Sequence, residues 1–211
     1  MIRVMLVDDH AVVRTGFRLL LETASDIRVV AEADCGETAC ANFDEVAPDV
    51  VVLDLSMPGI GGMETLKRLR ARDRDARLLA LSAHDDSINA RHALHQGALG
   101  FLSKRTAPET LLEAVRIVAA GRRYIDPQLA QIIALAEVDG TDSPIERLSG
   151  REFEVFIRLA RGADVQKIAA ALNLSTSTVG THLYNVKQKL GATNQAELTL
   201  IALRARLIEA E

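Results

Sequence analysis

The sequence predicts an α/β chain, a doubly wound (βα)5 parallel sheet followed by a small all-α unit. Three observations carry this. Short continuous runs of Val, Ile and Leu recur along the first half of the chain, and such runs read as strands buried on both faces of a parallel sheet. Apolar residues at helical spacing follow each run, the alternation that right-handed βαβ crossovers require. From residue 147 onward the periodic segments are all helical.

The first strand is expected at Ile2–Val7, then a helix over 12–23 with Val13, Phe17, Leu20 and Leu21 on one face. A second strand, Ile27–Ala33, leads to a helix over 37–46. The third run, 50–53, stops at Asp54, and Gly59 to Gly62 form a tight loop before a helix over 63–72. The fourth, 78–81, stops at Ser82, and a helix over 88–96 ends at Gly97, a residue type suited to a left-handed C-cap. A fifth strand over 99–102 runs to just short of Lys104. Pro108 opens a helix over 109–120 that Gly121 stops, and one more helix is expected over 127–137. Residues 138–146, VDGTDSPIE, carry turn formers and acids without periodicity and read as a linker. Beyond it helices are expected over 152–161, Val165–Leu172, Thr176–Leu190 behind a Ser175 cap, and 195–206. The domains are therefore placed at 1–124 and 147–211, with a helix and linker over 125–146.

A chain of 211 residues can bury one large core or two modest ones. The net charge of −4 hides an asymmetry: residues 147–211 hold nine Lys/Arg against six Asp/Glu, so an acidic front precedes a mildly basic back. The absence of Trp and the scarcity of other aromatics argue against a base-stacking surface for single strands. No apolar run approaches the roughly 18 residues of a membrane span and no basic-then-apolar leader opens the chain, so a cytoplasmic protein without a membrane partner is expected. Cys35 and Cys40 lie five apart, which fits neither a CxxC redox pair nor a zinc site, and they read as reduced, packed thiols.

Chemistry-bearing residues stand where the apolar runs stop: Asp8 and Asp9, Asp54, Ser82 and Lys104. In open α/β sheets working groups gather outside the carboxyl ends of the strands. Three carboxylates, a hydroxyl and an ammonium would converge on one crevice, an inventory suited to Mg2+ and a phosphoryl group. Carboxylates provide the hard oxygen ligands Mg2+ prefers. A carboxylate can also attack phosphorus when cations neutralise the equatorial oxygens.

VDDH around Asp8 and Asp9, LDLSMPGIGG around Asp54, LSAH around Ser82 and GALGFLSK around Lys104 resemble a bacterial receiver domain, a flavodoxin-like fold, over residues 1–124. The resemblance implies that Asp54 takes phosphate from the phosphohistidine of a sensor histidine kinase. It further implies that Asp8, Asp9, Asp54 and the backbone carbonyl of Ser56 bind Mg2+, and that Lys104 pairs with the phosphoryl oxygens. Ser82 would turn inward onto the phosphate and Phe101 would rotate into the space it leaves. Phe101 lacks the hydroxyl of the tyrosine some receivers carry there, so that switch position makes no hydrogen bond. Ala83 and His84 would border the phosphate and tune the lifetime of the acyl phosphate. A haloacid-dehalogenase-like phosphatase also forms an aspartyl phosphate, but it normally has a second Asp where this chain has Ser56.

In the back unit, Val165–Leu172, a short turn and Thr176–Leu190 form a helix-turn-helix pattern, with Ile168, Ala169, Leu172, Val179, Leu183 and Val186 spaced for a common core. The second helix would turn Thr176, Ser177, Thr181, Tyr184, Lys187 and Gln188 toward a major groove. Lys187 and Lys189 suit phosphates, which give affinity without sequence information. LSGRE at 148–152, IAAALNLSTSTV at 168–179, and His182, Val186, Lys189 and Leu190 resemble the DNA-binding domain of the NarL/FixJ response regulators. Gly180 stands where that family commonly carries Lys, and Gln195 where Arg is frequent. MIRV, MPGIGG, GRRYI, AELTLIALR and the DSP of the linker most resemble the GacA/UvrY type, from which the second helix departs most.

The expectation is a two-component response regulator rather than a turnover enzyme. Mg2+-dependent phosphorylation of Asp54 would control homodimerisation and sequence-specific binding to double-stranded promoter DNA, and so transcription. Two other classes are weighed beside it: a receiver-type adaptor with little DNA binding, and a hydrolase working through an aspartyl phosphate.

Overall fold

Val4, Leu6, Val50, Val52, Leu79 and Leu81 turn to one side of a sheet whose other side carries Met5, Val7, Val51, Leu53, Leu78 and Ala80. Both sides are covered, which is why these strands read as unbroken apolar runs instead of alternating ones. The computed structural model describes residues 1–82, 87–105, 108–138, 144–172, 174–205 and 207–208. They fall into two units, Met1–Val138 and Asp139–Glu211.

In the first unit the parallel strands β1 (Ile2–Val7), β2 (Ile27–Ala33), β3 (Val50–Asp54), β4 (Leu78–Ser82), β5 (Gly100–Ser103) and β6 (Tyr124–Ile125) lie in the order β2-β1-β3-β4-β5-β6. Helices α1 (Ala11–Leu21) and α5 (Pro108–Ala119) pack Leu21, Leu111, Ala114, Val115 and Val118 on one face. Helices α2 (Gly36–Val46), α3 (Gly61–Arg72) and α4 (Ser87–His95) pack Ala39, Cys40, Phe43, Leu66, Leu69, Ala90 and Ala93 on the other. Each fully buried Leu, Val or Phe is worth about 1.5–3 kcal/mol, so the two apolar layers hold the helices on both faces of the sheet. This is the doubly wound architecture the sequence predicts.

Two details differ from expectation, and the helix expected over 127–137 forms. A sixth strand, β6, pairs Tyr124 and Ile125 with Gly100 and Phe101, and two residues are too few to carry a period. Gly61 and Gly62, expected in a loop, begin α3, because a Cβ at Gly62 would stand 2.0 Å from the Asp54 carbonyl oxygen. Only glycine lets the first turn of α3 approach the end of β3 so closely. Helix α6 (Pro127–Val138) packs Leu129 and Ile133 against the cluster that holds Ala90, Ala93 and Phe101.

The second unit opens with a 3₁₀ turn, Pro144–Arg147, followed by α7 (Gly150–Ala160), α8 (Val165–Leu172), α9 (Thr176–Leu190) and α10 (Gln195–Arg204). Of the expected linker, residues 139–143 lie outside the described residues, as do Asn173 in the turn and Arg206. α7 starts earlier than its apolar period suggests because Ser149 and Glu152 form a capping box. Ser175 and Asn194 cap α9 and α10, accepting from Thr178 N at 3.0 Å and Glu197 N at 2.9 Å. Phe153, Phe156, Leu159, Ile168, Leu172, Val179, Val186, Leu198 and Ala202 are buried, while Leu183, expected in the core, is only half-buried. Among the described residues, no helix is long and apolar enough to cross a membrane. Cys35 and Cys40 are free thiols.

Candidate functional site

Strand register builds the first site. Val7 pairs with Leu53, Asp54 with Leu81, and Ser82 with Ser103, so β1, β3, β4 and β5 finish at one edge. The Lys104 amide then donates to the Ser82 carbonyl at 2.7 Å, which turns the lysine side chain back over that edge. Its ammonium reaches Asp8 Oδ2 at 2.6 Å and Asp54 Oδ2 at 2.8 Å. The outer oxygens are oriented by backbone: Asp8 Oδ1 accepts from His10 N at 2.8 Å, and Asp54 Oδ1 from Ser56 N at 2.9 Å. Asp8, Asp54, Ser82 and Phe101 are all buried.

Burial pushes the Asp54 carboxyl above the usual carboxylate range; Lys104 and the Ser56 amide pull it down and the nearby Asp8 charge adds to the rise, leaving a net upward shift. Burial works against the Lys104 ammonium as well, but its hydrogen bonds and attraction to Asp54 and Asp8 outweigh that and raise it above an ordinary lysine. The pocket therefore holds its ammonium firmly and its buried Asp54 carboxyl in a setting that favours added positive charge.

One ligand atom from each of Asp8, Asp9, His10 and Asp54 lies within 4.8 Å of the others. Asp9 Oδ1 is sealed from solvent without an aligned hydrogen bond, and Asp54 Oδ2 beside it is met by the Lys104 ammonium at 2.8 Å, so this cluster of carboxylate oxygens gains from a further cation. Carboxylate oxygens of this kind fit a small hard divalent ion such as Mg2+. His10 is mostly exposed, with Nδ1 3.0 Å from Asp9 Oδ1, and its imidazole nitrogen suits Mg2+ less well than the carboxylate oxygens do. Ser56 is exposed at the rim and meets Asp54 through its amide. Ala83 and His84, expected beside the phosphate, lie outside the described residues.

Two neighbours of the pocket carry no mark in the sequence. Arg14 donates to the Asp8 carbonyl at 2.6 Å and to Glu32 at 3.1 Å, steadying the turn that presents the acids. Glu37 on α2 accepts from Ile60 N at 3.0 Å, tying down the loop after Asp54 beside Gly59, whose φ is +70°. Both are charged residues on helix surfaces, where most have no such duty.

The second candidate site is the outer face of α9. Thr176, Ser177, Thr181, Tyr184 and Gln188 are exposed, Tyr184 at 63 %. The half-buried Lys187 donates to the Thr193 carbonyl at 3.0 Å, a neutral partner that does not cancel its charge. Lys189, expected as a phosphate contact, instead stands 2.6 Å from Glu152 Oε2. The buried carboxylate draws the ammonium to itself because a lone charge there would lose its hydration without recompense. Gln195, where a positive contact was expected to be missing, donates to the Leu159 carbonyl at 2.8 Å and ties α10 to α7.

Comparison with known proteins bears on both faces. Residues 4–116 match the family described as response regulator receiver domain, and residues 146–202 match bacterial regulatory proteins, luxR family. The chain is 40% identical over 213 residues to the response regulator UvrY of Escherichia coli (strain K12), covering 100% of this chain and 98% of the relative. It is 38% identical over 212 residues to the response regulator GacA of Pseudomonas aeruginosa, covering 100% and 99%. Among solved structures, a LuxR-family two-component response regulator from Aurantimonas sp. SI85-9A1 aligns with a TM-score of 0.63 at 41% identity, over 65% of this chain and 99% of that one. RcsB from Salmonella enterica serovar Typhimurium, bound to a promoter in the presence of the phosphomimetic BeF3−, aligns with a TM-score of 0.69 at 26% identity, over 95% and 97%.

Proposed function

Because this chain belongs to the two-component response regulators with a LuxR-type DNA-binding domain, we propose that a phosphoryl group taken on Asp54 governs its binding to promoter DNA. The observation that carries this is the placement of Lys104, 2.6 Å from Asp8 and 2.8 Å from Asp54, over a buried set of acids. The donor is the phosphohistidine of a sensor histidine kinase. An Asp54 carboxylate oxygen attacks phosphorus as the phosphorus–nitrogen bond to the imidazole breaks, and the imidazole keeps the electron pair.

Asp8, Asp9, Asp54 and the Ser56 carbonyl would hold Mg2+, which when bound adds charge neutralisation at the transferring group. Lys104 steadies the anionic oxygens that form on Asp54, and the Ser82 hydroxyl offers a hydrogen bond at the end of the neighbouring strand. Modification replaces the single charge of the carboxylate with about two on the acyl phosphate. Ser82 then turns inward and Phe101 follows it. Leu129 and Ile133 support this route, since they connect the Phe101 cluster to α6, the last helix before the DNA-binding unit. The modified chain forms a homodimer that sets two copies of α9 about 34–36 Å apart on an inverted repeat. The chain accepts phosphate and is not a turnover enzyme.

The test is Asp54→Asn in the full chain, assayed for phosphotransfer from a histidine kinase and for promoter binding with and without Mg2+ and beryllofluoride. Phosphate uptake and the beryllofluoride response both vanish on this reading. Unchanged promoter binding in the variant would sink the switch. Absence of any salt-sensitive DNA binding in the unmodified chain would leave an adaptor instead.

A further inference from the structure

Gly180 is the fifth residue of the 15-residue helix α9, and glycine is a poor choice for a helix interior. Several glycines elsewhere among the described residues have visible reasons. A Cβ at Gly62 would strike the Asp54 carbonyl at 2.0 Å, and Gly59, Gly97, Gly121, Gly162 and Gly191 have positive φ. Gly180 has neither excuse: its backbone is helical, it is exposed, and a Cβ would meet nothing within 4 Å. Gly16 on α1 shares those open surroundings, but nothing places a nucleic acid there. Whatever Gly180 accommodates lies outside its own unit.

Its neighbours say what that is. Thr176 and Ser177 lie one turn before it and Tyr184 one turn after, with Thr181 adjacent, all exposed. Thr176, Ser177 and Thr181 are short, so toward the helix start the surface around Gly180 is low and its main chain is open to solvent. The first half of a groove-inserted helix is the part that meets base edges. Glycine is the residue that permits close approach of backbone to a ligand.

We infer that the bare main chain at Gly180 is a specificity-determining contact, seating α9 against a base-pair edge in the major groove more closely than any side chain would permit. The inference rests on the DNA-binding reading above and deepens it. Thr176, Ser177 and Thr181 then reach base edges with side chains that would be too short at an ordinary helix-to-groove distance.

The experiment uses the full chain with Mg2+ and beryllofluoride. A duplex recovered by in-vitro selection from a randomised library with the unmodified chain is compared with a shuffled duplex of the same composition. Gly180→Ala should bind the selected duplex about tenfold or more weakly, the cost of one lost base-edge contact, and bind the shuffled duplex as before. The same variant should melt about 4–8 °C higher, because alanine favours the helix. Opposite signs for stability and affinity exclude simple misfolding. Gly180→Val should lose more affinity than Gly180→Ala, since the clash grows with size. Equal losses from Ala and Val would point to helix stiffness and overturn the inference, as would equal losses on both duplexes. If the unmodified chain selects a duplex that Gly180→Ala binds equally well, this inference falls while the DNA-binding reading stands. If the unmodified chain selects none, both fall.

Discussion

Lys189 and Glu152 meet at 2.6 Å, joining the end of the helix that faces solvent with Thr176 and Tyr184 to the first turn of α7. The same Glu152 Oε2 accepts from the Ser149 amide at 2.7 Å, so one buried carboxylate caps α7 and anchors α9 together. Lys189→Met should therefore lower the stability of the second unit by about 1–2 kcal/mol, the modest end for a buried pair because the lysine remains partly exposed. In a salt titration of DNA binding Lys189→Met should leave the slope nearly unchanged, whereas Lys187→Met should flatten it by about one charge. A flattened slope for Lys189→Met would place its ammonium on a phosphate.

The pair also sets an acid limit. Burial alone would raise the Glu152 carboxyl, but Lys189 and the bonds from Ser149 outweigh it and hold it below its ordinary value of 4.5. A depressed carboxylate contributes stability that is present above 4.5 and is lost as pH falls through the lower, folded-state value. Melting curves should show the second unit weakening below that point. In Lys189→Met this acid weakening should shrink, because the largest downward influence on Glu152 is gone and the gap between its unfolded and folded values closes.

Gly62→Ala should cost about 3 kcal/mol or more, or prevent the first unit from folding, because the added Cβ would stand 2.0 Å from the Asp54 carbonyl and 2.5 Å from Leu55 Cα. Both contacts are backbone and cannot swing aside. A chemical melt reads the loss directly; a cost under 1 kcal/mol would mean that α3 can shift away from β3.

Lys104→Met should bind Mg2+ at least as tightly as the unmodified chain, since the ammonium that occupies Asp8 Oδ2 and Asp54 Oδ2 is removed. Phosphoryl acceptance should slow by about 100-fold through loss of a charge at the developing anion. Calorimetry and a phosphate-retarding gel separate the two. Loss of Mg2+ affinity would show that Lys104 instead maintains the shape of the acid pocket.

Leu129→Ala should weaken α6 by about 1–2 kcal/mol, the lower range for a half-buried leucine. It should leave phosphorylation of Asp54 intact while reducing the gain in DNA affinity that follows. An unchanged gain would remove α6 from the route between the Phe101 cluster and the second unit.

The pocket was legible because a parallel sheet buried on both faces writes its strands as apolar runs, and the residue after each run then stands at the carboxyl edge. Asp8, Asp54 and Ser82 could be found by that rule alone, and Lys104 stands one residue further on. Arg14 and Glu37 could not, since a charged residue on a helix surface looks the same whether it faces solvent, a backbone carbonyl or a backbone amide. Ser149 and Glu152 carried the spacing of a capping box in plain sight, yet α7 was expected to start later because its apolar period starts later.

By itself the sequence determined the alternation of elements, the strand ends that carry the acids, and the exposed face of α9, because periodicity and caps act over a few residues. Tertiary structure alone decided that Lys189 turns to Glu152, 37 residues away, and that Gly62 must be bare against Asp54. It also decided that β6 forms at all, since two residues become a strand only when β5 offers its free edge. Such choices depend on which group is near in space, and distance along the chain carries no record of that.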